Sequence, residues 1–69
     1  MTELNFDNQL TIKQLRTFLG MTQLEFSKHV GIKYSTYLKC ERHPEKMKAG
    51  NLIKISQAVN YPMAKIKVV

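Results

Sequence analysis

Apolar positions in this chain recur at helical spacing in successive stretches, each opened and closed by polar or glycine punctuation. Ile12, Leu15 and Leu19 share one face of a first helix. Thr11-Ile12-Lys13-Gln14 forms a capping box at its start, where Thr11 and Gln14 satisfy each other's free backbone donors. Leu10 and Leu15 can supply the accompanying hydrophobic staple, and Gly20 a left-handed cap at the far end. The same grammar repeats at once. Thr22-Gln23-Leu24-Glu25 is a second capping box, Met21 and Phe26 a second staple, and Phe26 and Val30 point inward with small Ser27 between them. Gly31 ends this second helix. A third runs from about Tyr34 to Arg42, with Tyr37 and Cys40 on one face and Ser35, Leu38 and Lys39 on others.

A polar loop from His43 to Lys48 contains Pro44. Beyond it a fourth helix is predicted from about Ala49 to Val59, with Leu52, Ile55 and Val59 inward and Asn60 as a left-handed cap. Pro62 opens a short fifth helix at its first position, where a missing donor costs nothing. The expected fold class is all-α: one compact five-helix domain over residues 1–69, with short terminal β-strands as an added element. Those strands come from a change of period. Leu4 and Phe6 alternate with Glu3, Asn5 and Asp7, and Ile66 and Val68 alternate with Lys65 and Lys67. The two-residue period and opposite charges suggest pairing of Thr2–Phe6 with Lys65–Val69, within the chain or across a dimer; frayed ends are the alternative.

Composition narrows the function. Sixty-nine residues give one domain with a small core, and association is a route to extra stability. Cys40 is the single cysteine, which suits a reducing cytosol, and Met21, Met47 and Met63 read as gap-filling core or interface residues. His29 and His43 stand fourteen positions apart, so neither a metal site nor another cofactor is expected. No apolar run approaches the roughly 18 residues of a membrane span, and the start lacks a signal-peptide pattern, so a cytoplasmic location is expected. An enzyme is not expected either, for want of a nucleophile–base set, a metal cluster or a phosphate-cradling glycine loop. Eleven Lys/Arg against five Asp/Glu give a net charge of +6, pointing to a polyanionic partner. The excess is concentrated: Lys28, Lys33, Lys39, Arg42, Lys46, Lys48 and Lys54 lie between Phe26 and Lys54, opposed only by Glu41 and Glu45.

Gly31-Ile32 leaves a very tight turn between the second and third helices, with Val30 and Ile32 placed to plug the angle. That is the geometry of a helix-turn-helix over about residues 22–42, whose second helix enters the major groove. Leu15-Arg16, Thr22-Gln23-x-x-Phe26-Ser27-x-x-Val30-Gly31-Ile32, Ser35-Thr36-Tyr37 and Glu41-Arg42 together resemble the lambdoid phage repressor and Cro family of helix-turn-helix domains. Leu52 to Val59 looks like that family's fourth helix, so the likeness extends over roughly Thr11 to Ile66.

The resemblance implies a role for each matching position. Gln23 corresponds to a glutamine that contacts phosphate and braces the recognition helix, with Thr22 beside it at an anion-favouring helix N-terminus. Lys33, Tyr34, Ser35, Leu38 and Lys39 match the outward, base-facing positions. Lys39 can donate to guanine or neutralise a phosphate, Leu38 can meet a thymine methyl, Ser35 can donate or accept, and Tyr34 can bond a phosphate or stack on a sugar. Arg42, Lys46 and Lys48 are expected to hold phosphates and set register. Arg16 and Glu41 match an internal ion pair between the first and third helices. Three departures stand out. Lys33 occupies what is usually a Ser/Thr cap, Tyr37 replaces an aliphatic core residue so that its hydroxyl needs a partner or water, and the His43–Lys48 loop is about one residue longer.

The expected function is sequence-specific binding of double-stranded operator DNA as a homodimer, with a Cro-like repressor acting by occlusion as the nearest analogy. The segment Tyr61 to Val69 is the candidate dimer contact, and no small-molecule effector is expected. The alternatives are a toxin–antitoxin or mobile-element regulator and a protein-interaction module that reuses the fold without DNA.

Overall fold

The computed structural model describes residues 9–68. Four α-helices are joined by short connections: α1 (Ile12–Phe18), α2 (Gln23–Val30), α3 (Tyr34–Arg42) and α4 (Ala49–Val59). Two short strands, β1 (Leu10–Thr11) and β2 (Ile66–Lys67), pair in parallel with Leu10 opposite Ile66 and Thr11 opposite Lys67. The molecule is therefore mostly helical with a small two-stranded sheet, rather than all-α.

The helix starts follow the local code. Thr11 Oγ1 accepts from the Gln14 amide at 3.0 Å while Gln14 Oε1 accepts from the Thr11 amide at 2.8 Å. Thr22 and Glu25 repeat the exchange at 3.1 and 2.9 Å. α2 ends in a Schellman turn: the Ile32 amide donates to Ser27 and the Gly31 amide to Lys28, with Gly31 at φ +78°. Only glycine takes that backbone without a Cβ penalty, and it lets the chain reverse into α3 within three residues. Asn60, at φ +54°, closes α4 in the same way. Lys54 Nζ donates to the Gly31 carbonyl at 3.3 Å, tying α4 to the α2–α3 turn.

One core results. Ile12 and Leu15 from α1, Phe26 and Val30 from α2, Ile32, Tyr37 and Cys40 from the turn and α3, Ile55 from α4 and Ile66 from β2 are all buried. Leu10, Met21, Met47, Leu52 and Val59 pack around them. Ser27 is the one buried polar residue among those described, and its hydroxyl donates to the Leu24 carbonyl at 2.7 Å.

The structure departs from the expectations in several places. The fifth helix is a single 3₁₀ turn, Met63–Lys65, closed by the Lys65 amide donating to Pro62 at 2.9 Å. It stops there because Ile66 turns extended to bury its side chain and pair with Leu10. The C-terminal strand exists, but its partner is Leu10–Thr11 of the same chain; Thr2–Phe6 and Val69 lie outside the described residues. Leu19 is 43% exposed despite its helical spacing, because α1 ends at Phe18 and Leu19 is only its cap. The His43–Lys48 loop contains a 3₁₀ turn, Pro44–Lys46, with proline in the first position where its missing N–H is harmless. Of the segment Tyr61–Val69, Tyr61, Ile66 and Val68 pack on this chain's own core, while Pro62, Met63 and Ala64 are exposed. No helix among the described residues is long and apolar enough to cross a membrane.

Candidate nucleic-acid interface

The inner face of α3 sets the position of the outer one. Tyr37 and Glu41 stand one helical turn apart, so their side chains meet. The Tyr37 ring is fully buried, edge-on to Phe26 with centroids 5.5 Å apart, and its hydroxyl donates to Glu41 Oε2. The same oxygen accepts from Arg16 Nε at 2.6 Å, and Glu41 Oε1 accepts from Gln23 Nε2 at 3.0 Å. One carboxylate thus gathers donors from α1, α2 and α3. Arg16 also donates through Nη1 to the Met21 carbonyl at 2.9 Å, which fixes the guanidinium at a second point. The Arg16 and Glu41 side chains are 15% and 7% exposed, so this pair escapes most of the screening that weakens surface pairs.

Burial works against the charge on Glu41, but the hydrogen bonds from Arg16, Tyr37 and Gln23 overcome it and hold the carboxyl below the usual range. The hydrogen bond to Glu41 raises Arg16 in turn, against the opposing effect of desolvation. Burial and then the bond to Glu41 push the Tyr37 hydroxyl far up, so it remains a donor throughout the physiological range. Burial also pushes the Cys40 thiol up, which suits a packing residue.

On the outer face, Tyr34, Ser35, Lys39 and Arg42 are exposed, and Lys33 is exposed just ahead of them. Leu38 is half-buried rather than exposed, with Tyr34 and Arg42 one turn to either side of it on the same helix. Its remaining surface still lies among the polar residues of this face. Lys33 makes no side-chain cap bond, as its chemistry requires, and leaves a cation at the N-terminus of α3.

The turn after α3 completes a basic wall. Pro44–Lys46 and the approach to α4 bring Lys46 and Lys48 around one cleft with Lys39, Arg42 and His43, about 580 Å³ in volume. Thr36 and Asn51 line the same cleft and did not figure among the expected site residues. Nothing local marks Asn51; its position matters only once α4 is packed beside the end of α3. Thr22, Gln23, Lys33, Tyr34, Ser35 and Leu38 are not part of this lining.

The N-terminus of α2 carries its own carboxylate. Glu25 Oε1 already accepts from the Thr22 amide, so an incoming anion there meets a negative charge. Gln23 is half-buried, and its amide group donates to Glu41 near the end of α3. Among the described residues, no group of three or more His, Cys, Asp or Glu side chains could hold a metal ion. Comparison with protein-family models, curated proteins and solved structures gave no significant match.

Proposed function

We propose that the chain binds double-stranded DNA sequence-specifically through α3 and acts as a transcriptional regulator, most simply a repressor that occludes its operator. In this reading α2, the Gly31-Ile32 turn and α3 form a helix-turn-helix, with α3 in the major groove. One observation carries the proposal. The carboxylate of Glu41 fixes the inner face of α3 to two other helices, while the outer face presents Tyr34, Ser35, Lys39 and Arg42 to solvent. A reading helix needs both a rigid seat and a free polar face, because base contacts discriminate only when donors are held in place.

The division of labour follows from position. Ser35 and Lys39 lie on the exposed middle of α3 and would meet base edges, with Tyr34 at the groove margin and the uncovered part of Leu38 toward a thymine methyl. Arg42, Lys46 and Lys48 sit at its far end and would hold the phosphate backbone, with Lys33 doing the same at its start. Thr22 and Gln23 rank lower as phosphate ligands because Glu25 and Glu41 already use their polar groups. A homodimer would place two such helices in successive major grooves on a near-palindromic site. Within the described part of the Tyr61–Val69 segment, Pro62–Ala64 and Lys67 are exposed and remain open to a second copy.

Selection of bound sequences from random duplex DNA tests the proposal directly. A symmetric pair of half-sites about one helical turn apart is the expected outcome. Lys39→Ala should then weaken cognate binding by about 1–3 kcal/mol and relax one position of each half-site. Recovery of no enriched sequence, with equally weak binding to all duplexes, would overturn sequence recognition.

A further inference from the structure

The cleft between the end of α3 and the start of α4 is more than a strip of surface charge. Its volume of about 580 Å³ falls within the roughly 300–1,000 Å³ of small-molecule sites. Lys39, Arg42, Lys46 and Lys48 surround it, and Asn51 adds a neutral amide. Among the described residues, no carboxylate lines it. Glu41 is turned inward to Arg16, and Glu45 lies beside His43, 3.5 Å from Nδ1, outside the lining. Three lysines and an arginine therefore face a shared, half-enclosed space with no counter-ion among the described residues. A compact polyanion would relieve their mutual repulsion far better than separate chloride ions.

We propose that this cleft binds a small anion carrying two or more phosphate groups, and that the bound anion excludes DNA. Arg42 can grip one phosphate through its planar fork, while the three lysines act as point charges on the next. Exclusion follows because Lys39 and Arg42 belong both to the cleft and to the outer face of α3. That second half rests on the DNA-binding function proposed above; the first half does not. The sequence carries no sign of a small-molecule effector site; the cleft exists only after α3 and α4 have packed.

The test uses the intact chain and inorganic pyrophosphate, titrated at constant ionic strength and followed by amide NMR shifts. Saturable, single-site shifts confined to the end of α3, the Pro44–Lys46 turn and the start of α4 are expected. The Lys46→Gln/Lys48→Gln double variant should bind pyrophosphate about tenfold or more weakly, with unchanged circular dichroism. Asn51→Leu should also weaken pyrophosphate binding. Shifts that never saturate, or that matched chloride reproduces, would overturn the site. So would DNA shifting the cleft amides while pyrophosphate does not, which would assign the cleft to the duplex backbone alone. A parallel anisotropy titration addresses exclusion: saturating pyrophosphate should displace a bound duplex, and an unchanged DNA affinity would refute it. Pyrophosphate binding by a chain with no affinity for any duplex would keep the site and remove the DNA-binding function.

Discussion

Replacing Glu41 by glutamine keeps the shape of the side chain and removes the charge that three helices share. Glutamine can still accept from Arg16 and Tyr37 through its oxygen, but its NH₂ then confronts the Gln23 amide that donated to Glu41 Oε1. Arg16 is left mostly buried without its counter-charge. Breaking a buried pair costs about 3–5 kcal/mol, whereas an exposed pair is worth about 0–1. Since Arg16 keeps its bond to the Met21 carbonyl, the loss should lie between these limits, at about 2–3 kcal/mol. For a domain of this size that lowers Tm by about 10–20 °C. The pH dependence separates charge from shape. Glu41 titrates lower in the folded chain than in the unfolded one, so the stability it contributes is present above the unfolded carboxyl pKa of about 4.3. It is lost as pH falls through the lower, folded value. Thermal unfolding followed by circular dichroism should show a large gap between Glu41→Gln and the parent at neutral pH, closing as pH falls through the lowered folded value. A gap of constant size across that range, or none at neutral pH, would refute the charge-based account.

Other variants probe separate parts of the fold. Lys33→Ser should supply the missing cap of α3 and remove an unfavourable cation there, raising stability in urea unfolding by about 0.5–1.5 kcal/mol. If Lys33 meets phosphate in the complex, the same variant should lower DNA affinity and the salt slope of binding by about one. Gly31→Ala meets no atom within 4 Å of the added methyl, so its cost is purely that of the left-handed backbone, about 1–2 kcal/mol by urea midpoint. Gly31→Asn should cost less, since asparagine tolerates that region better. Ile66→Ala, emptying a site only 3% exposed, should destabilise by about 2–5 kcal/mol in the same measurement, and a near-neutral result would mean that β2 does not seal the core.

The helices were legible because their boundaries are written locally. Both capping boxes, the Gly31 reversal and the Asn60 cap involve residues within five positions of each other, and the starts of α1 and α2 and the ends of α2 and α4 sit where these signals put them. The Arg16–Glu41 pair was reached by family likeness, whereas the Tyr37–Glu41 bond could have been read from simple helical spacing. What escaped depends on distant packing. Alternation at the two ends flagged a strand, yet the true partner of Ile66 was hidden because Leu10 also serves as the staple of α1. Leu38 reads as free on its helix and is half-buried in the fold. The cleft around Lys46, Lys48 and Asn51 needs α3 and α4 to be brought together, and no spacing rule encodes that approach.

The pairing of β1 with β2 also governs when this domain can finish folding. Leu10 and Ile66 are 56 residues apart and align in register, so the last core residue to be synthesised belongs beside the first element of the fold. Closing a loop of that length costs on the order of 3.5 kcal/mol of chain entropy beyond a constant, and the return comes only when Ile66 is buried. A nascent chain still held by the ribosome near that point can form its helices but cannot seal them. The cooperative step is therefore expected only once Ile66 is free to pair, and stalling or proteolysis just before Ile66 would leave an open, helical intermediate instead of a smaller version of the native domain.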